Sequence, residues 1–207
     1  MSVQAVVSGG QTGTDRGALI AAAILGIPHG GWCPKGRKAE DGVIPAEFPV
    51  RECDSEDYTV RTRLNVSETE GTLVFSYERN PTGGTKLTLD IAHELGRPTL
   101  LVTLAPGYDE ARDCTTAKVI RQWIAREKIA YLNVAGPRES KAPGIKDHVA
   151  HVLLRAWQTK DRCVCGRAIP PEVLQLPAVR SSGSLKCRSC GHVTILADLD
   201  GSTTIPT

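Results

Sequence analysis

The octapeptide Ser8-Gly9-Gly10-Gln11-Thr12-Gly13-Thr14-Asp15 has the composition of an anion-binding turn. An apolar run at residues 3–7 precedes it and an Ala-rich run at residues 17–25 follows, so it joins a buried strand to a buried helix. Glycines let the backbone turn tightly and come close to a ligand. The unpaired N–H groups at the helix start and the positive end of its dipole favour a negative group there. Ser8, Thr12 and Thr14 add hydroxyl donors, and Asp15 stands where it can cap the helix or hold a ribose hydroxyl or a water. The turn is neither GxGxxG nor GxxxxGK[ST], and no lysine closes it.

Other stretches offer partners for that chemistry. Gly83, Gly84 and Thr85 open a second helix, with Thr85 as the expected N-cap, and form a second place for a phosphate. Lys35 and Arg37 lie in a long polar loop, residues 33–49, beside Glu40 and Asp41. The cations there suit contact with a phosphate or a pterin; the acids suit general acid–base work. Arg61, Thr62 and Asn65 share one face of a polar helix, residues 57–68, where Arg61 can meet a phosphate with two nitrogens. Arg138, Glu139 and Ser140 follow a strand end. The candidate catalytic acids or bases are Asp15, Glu40 and Asp41. His148 and His151 are three apart on one helix and lack the further converging ligands a metal needs, so they read as structural or exposed.

A different chemistry stands at the C-terminus. Cys163-Val164-Cys165-Gly166 and Cys187-Arg188-Ser189-Cys190-Gly191 are paired knuckles separated by 21 residues. That spacing suits a zinc ribbon: four thiolates closing a tetrahedral structural site with no position open for catalysis. The first knuckle is CxC, one residue short of the usual CxxC, which keeps His192 as a substitute ligand. So small an appendage needs the metal in order to fold. Arg162, Arg167, Arg180, Lys186 and Arg188 make it mildly basic, so nucleic acid is a conceivable partner.

Alternating elements must position these groups. Strands are predicted at residues 3–8, 27–32, 71–77, 98–104 and 130–135. Helices are expected at 15–25, 57–68, from Thr85 to Leu95, from Thr115 or Thr116 through Ile124, and from Ile145 to Ala156. Strand–helix alternation implies right-handed crossovers and a mostly parallel sheet flanked by helices, an α/β fold. All strands then end on one side, where the polar loops 8–15, 79–85 and 136–140 should converge on a single cleft. The expected organisation is a ligand-binding domain at residues 1–159, a zinc ribbon at 160–200 and a frayed tail at 201–207.

With 207 residues, 41% of them hydrophobic and only 4% aromatic, the chain builds its core from Ala, Val, Leu and Ile. A formal charge of +2 argues neither for nor against nucleic acid across the whole chain. No apolar run reaches the ~18 residues of a membrane span, and no signal peptide is legible. Seven cysteines, four of them clustered, fit a reduced cytoplasmic protein with a metal site better than a disulfide framework.

Five stretches resemble the molybdenum cofactor carrier family: residues 8–15, Gly30-Gly31-Trp32-Cys33-Pro34-Lys35-Gly36-Arg37, Ala39-Glu40-Asp41-Gly42-Val43-Ile44-Pro45, Arg61-Thr62-Arg63-Leu64-Asn65-Val66 and Asn133-Val134-Ala135-Gly136-Pro137-Arg138-Glu139-Ser140. The resemblance covers about residues 3–157. It implies a Rossmann-like fold shared with the lonely-guy phosphoribohydrolases and DNA-processing protein A, homo-oligomers, and binding of a nucleotide or a molybdenum cofactor-like pterin. The lonely-guy enzymes carry Gly-Gly-x-Gly-Thr-x-x-Glu, whose Glu takes part in glycosidic cleavage. Here Gly83-Gly84-Thr85-Lys86-Leu87-Thr88 lacks the second spacing glycine and has Thr88 near the acid's place. The leading expectation is a carrier of a phosphorylated small molecule. The alternatives are a nucleotide-processing N-glycosidase using Asp15, Glu40 or Asp41, and a nucleic-acid-binding module using the basic ribbon.

Overall fold

The computed structural model describes residues 3–157 together with two short strands at 184–186 and 193–195. Strands β1 (Ala5–Val7), β2 (His29–Cys33), β5 (Val50–Glu52), β6 (Gly71–Ser76), β7 (Thr99–Thr103) and β8 (Tyr131–Ala135) form one sheet, in the order β5-β2-β1-β8-β6-β7. Every pairing in it is parallel. β3 (Lys38–Ala39) and β4 (Gly42–Val43) make a separate two-stranded antiparallel ladder inside the long loop.

The handedness of parallel crossovers assigns the helices to faces. From β1 to β2 the chain moves toward one edge of the sheet, and from β6 to β7 toward the other. The connecting helices α1 (Thr14–Leu25) and α3 (Gly83–Glu94) therefore lie on opposite faces. α4 (Glu110–Glu127) and α5 (Ile145–Trp157) join α1 on its face, and α2 (Tyr58–Ser67) packs against α3. The main core fills the α1/α4/α5 side, with Phe75, Leu73 and Leu132 of the sheet against Ile120, Trp123, Val149 and Leu153. Small residues on α1, namely Ala18, Ala21 and Ala22, let α5 approach closely, which is where the scarcity of aromatics is used.

Several boundaries differ from expectation. β5 lies in a stretch too charged to read as a strand; only Val50 of it is buried, because it forms the sheet's edge. α3 starts at Gly83 with Thr82 in the cap position, three residues ahead of the expected cap Thr85. α4 starts at Glu110, where the Asp109 carboxylate accepts the Arg112 N–H at 3.0 Å, so the cap is Asp109 and neither Thr115 nor Thr116. An acidic cap and first turn outweigh an interior threonine, whose hydroxyl is used on the Ala111 carbonyl.

The chain divides into units 1–157 and 158–207. In the second, β9 (Ser184–Lys186) pairs antiparallel with β10 (Val193–Ile195). The zinc-ribbon expectation rests on Cys163, Cys165, Cys187 and Cys190, with His192 as a substitute, and all five lie outside the described residues. Among the described residues no group of three or more His, Cys, Asp or Glu can hold a metal ion, and no helix is long and apolar enough to cross a membrane.

Candidate functional site

The three polar loops leaving β1, β6 and β8 meet at a cleft of about 430 Å³ beside the carboxyl ends of these strands. Gln11 and Asp15 come from the first loop, Pro81 to Thr85 from the second, and Gly136 to Arg138 from the third. Helix α2 adds Tyr58, Arg61 and Thr62. Its polar face is thereby explained, since it faces a cleft on one side and staples the sheet on the other. Asn65 accepts the Trp32 N–H at 2.7 Å and donates to the Trp32 carbonyl at 3.0 Å, fixing α2 to β2. Tyr77, Glu78 and Lys141 also line the cleft. Sequence reasoning passed over these three, because each stands just outside a stretch with a recognisable pattern.

The first loop is held mainly by contacts away from the cleft. The Ser8 hydroxyl donates to the Val134 carbonyl at 2.7 Å, and the Thr14 N–H donates to the Pro137 carbonyl at 3.2 Å. Gly10 packs toward Ile44 and Val50, and Gly13 lies against the backbone of residues 137–139. Gly9 sits beneath the Arg61 guanidinium. Asp15 is 4% exposed. Burial pushes its carboxyl up, against the pull of Arg61 and of hydrogen bonds from Gln11, Ser8 and Gly9. Arg61 Nη1 stands 3.5 Å from Asp15 Oδ2, and the Gln11 N–H reaches the same oxygen at 3.2 Å. Asp15 thus positions Arg61 and the loop; its oxygens are engaged with the protein.

Glu40 and Asp41 are placed differently from Asp15. Asp41 forms a two-pronged pair with Arg16 at 2.6 and 2.8 Å. Glu40 ties two cleft loops together: it accepts hydrogen bonds from the hydroxyls of Thr12 and Ser140 and from the Ser140 N–H at 3.1 Å, with Arg138 Nε at 3.8 Å. Burial acts to raise the Glu40 carboxyl, but the bonds from Ser140 and Thr12 and the Arg138 charge prevail and hold it below the usual carboxylate value. Glu139 accepts the N–H groups of Gly144 and Lys146 at 2.5 and 3.2 Å, at the start of α5. Neither Glu40, Asp41 nor Glu139 is among the residues lining the cleft.

Glu40→Gln tests this latch. A carboxyl depressed in the folded state stabilises it above the unfolded value, near 4.5, and that stability is lost as pH falls through the folded value. Unfolding free energies of wild type and Glu40→Gln from urea titrations should therefore differ by about 1–2 kcal/mol at pH 6. The difference should shrink as pH falls below 4.5 and through the folded value. A gap that stays constant on acidification contradicts an ionised latch.

Lys35 and Arg37 also stand away from the cleft. Arg37 donates to four carbonyls: Ile44 at 3.1 Å, Val50 at 2.7 Å, and Pro45 and Phe48 at 3.0 Å each. Its cation organises the 33–52 loop, and the structure uses its donors on the protein itself. Cys33 is a buried packing residue whose thiol burial pushes up. His148 Nε2 lies 2.9 Å from Asp113 Oδ1; both side chains are buried and tie α5 to α4.

On the opposite side of the cleft α3 begins. Gly83, Gly84 and Thr85 line the wall, and no side chain caps this helix start. First-turn N–H groups have no partner within their own helix. A Cβ built on Gly83 or Gly84 meets nothing within 4 Å, so nothing crowds this end of the helix. The Thr88 hydroxyl donates to the Gly84 carbonyl at 3.0 Å.

The fold is a Rossmann-like α/β domain with a cleft at its strand ends, and the comparisons give its family. Residues 6–157 match the circularly permutated YpsA SLOG family model, and the chain belongs to that family. The crystal structure of a protein from Syntrophus aciditrophicus SB, named "Putative molybdenum carrier protein", is 37% identical to it. The alignment spans 76% of this chain and 96% of the Syntrophus protein with a TM-score of 0.71. Among curated proteins no sequence match is found.

Proposed function

We propose that the cleft binds a phosphorylated small molecule, a nucleotide or a molybdenum cofactor-like pterin, and that the protein acts as its carrier. The observation that carries this reading is the uncapped start of α3, open to a cleft whose other walls supply Arg61, Arg138 and Lys141. Three cations and a free helix start suit a phosphate. Tyr58 and Tyr77 add aromatic rings to the lining, which suits a planar heterocycle. The Syntrophus protein's name agrees in kind with such a cargo. Carriage is favoured over glycosidic cleavage because Asp15, Glu40 and Asp41 all spend their carboxylates on protein donors. The four C-terminal cysteines are proposed to hold one structural zinc ion, on their spacing alone.

Native mass spectrometry of the purified full chain tests the reading. The expected spectrum shows a co-purified phosphorylated ligand and one zinc ion per chain, and it also gives the assembly size. Gly84→Asp sharpens the test. An acidic residue in the first turn favours the helix by roughly 0.3–1 kcal/mol, so the melting temperature should hold or rise. The same charge should repel a phosphate and abolish ligand retention. Retention of a phosphorylated ligand by Gly84→Asp would remove the α3 start from the site.

A further inference from the structure

The cleft's two sides differ in what they lack. At the α3 start, first-turn N–H groups lack a side-chain cap. At the first loop, two side-chain donors are buried without any acceptor: Gln11 Nε2 and Arg61 Nε. Both residues line the cleft. Gln11 is 7% exposed, and its amide is fixed, because Oε1 accepts the Thr12 N–H at 3.0 Å and the Glu40 N–H at 2.9 Å. Nε2 therefore cannot exchange places with the oxygen; it is committed as a donor. Arg61 is oriented by Asp15 through Nη1, which leaves Nε over.

A buried donor without an acceptor costs about 1–3 kcal/mol. Of the eight buried side-chain atoms without a partner among the described residues, these two belong to residues that line this cleft, where a ligand can bring the acceptor. Both atoms are covered in the free protein, so an acceptor reaches them only when a neighbouring cleft side chain turns aside. The Arg61 guanidinium is held to Asp15 at only 3.5 Å, a loose pairing that lets it turn toward a ligand oxygen. β1 and β6 are separated by β8 alone, which places the two sides roughly 10 Å apart. That span suits a phosphate at one end of a nucleotide-sized ligand and its ring edge at the other.

We infer that Gln11 and Arg61 read a ring carbonyl oxygen, so that the ligand class is a phosphorylated oxo-heterocycle, with a 6-oxopurine or a 4-oxopterin ring, and an amino group at that ring position is refused. This rests on the phosphate reading of the α3 start. An amino group would place donor against donor and leave both protein atoms unpaired. Gln11 and Arg61 are thus specificity-determining residues, and Asp15 and Glu40 position them.

Inosine 5′-monophosphate and adenosine 5′-monophosphate differ only at the 6-position and the adjoining N1 (C6=O with N1–H against C6–NH2 with a bare N1), so calorimetric titration of the full chain with each is the test. The wild type should bind the inosine nucleotide at least tenfold more tightly. Gln11→Glu keeps one oxygen for the Thr12 and Glu40 amides and turns the ligand-facing atom into an acceptor. It should lose the preference, retain adenosine 5′-monophosphate affinity within about threefold, and melt within a few degrees of wild type. Arg61→Lys keeps the charge beside Asp15 and removes Nε–H; it should narrow the preference even if Gln11→Glu does not fold. Equal wild-type binding of both nucleotides overturns the inference while leaving the phosphate site standing, as does a preference that survives both substitutions. Binding of neither nucleotide removes the phosphate reading and this inference with it.

Discussion

Gly13→Ala should destabilise the domain by about 4 kcal/mol and lower its melting temperature by roughly 10 °C. Two costs combine. Gly13 has φ of 75°, a left-handed conformation that strains any residue with a Cβ. In addition, a Cβ there would stand 2.6 Å from the Pro137 carbonyl oxygen and 2.7 Å from the Glu139 nitrogen, both backbone atoms that cannot swing aside. Gly26→Ala separates the two costs. Its φ is 68°, yet a Cβ built there meets nothing within 4 Å. That variant should lose only about 1 kcal/mol. Urea or thermal unfolding of both variants decides the matter. Similar losses would mean that the first loop and the 137–139 loop do not press together as described.

Arg37→Met should cost about 3 kcal/mol. Its effect should be local: faster proteolysis between residues 33 and 52. Methionine keeps much of the apolar stem but leaves the Ile44, Pro45, Phe48 and Val50 carbonyls without their shared donor. Arg37→Lys should rescue little, because one ammonium cannot reach four carbonyls that a planar fork spans. Ligand retention gives the sharper readout. If Arg37 met the ligand's phosphate directly, Arg37→Lys would lose retention with no new cleavage in the loop; that result would contradict the role described.

These two residues also mark what could be read from the chain and what could not. The convergence of the 8–15, 79–85 and 136–140 loops follows from strand–helix alternation, since parallel strands end on one side. Arg61 was legible because a polar face on a helix needs a reason. Arg37 and Glu40 looked like ligand contacts because a charge in a Gly- and Pro-rich loop carries no mark of its partner. Those partners are distant in sequence: the Glu40 carboxylate joins Thr12, 28 residues away, to Ser140, 100 residues away. Spacing rules cover neighbours within a few residues and are silent about such pairings. The start of α3 was misplaced for a related reason. Gly83 and Gly84 have poor helix propensity, and tertiary packing of Leu87, Ile91 and Ala92 overrides it. The unpartnered Gln11 nitrogen has no counterpart in sequence, because only the full set of contacts shows that its oxygen is used and its nitrogen is spare.

The position of β8 bears on how the chain is born. β8 is the last strand of the sheet to be synthesised, yet it lies between β1 and β6. Until residue 135 has left the ribosome, β5-β2-β1 and β6-β7 are two half-sheets, each with an open inner edge. At roughly 5–20 residues per second, β1 waits many seconds for its neighbour. Such edges are templates for intermolecular pairing. Nascent chains halted near residue 125 should therefore engage chaperones strongly and resist folding, whereas chains extended past α5 should close cooperatively around the late-arriving central strand.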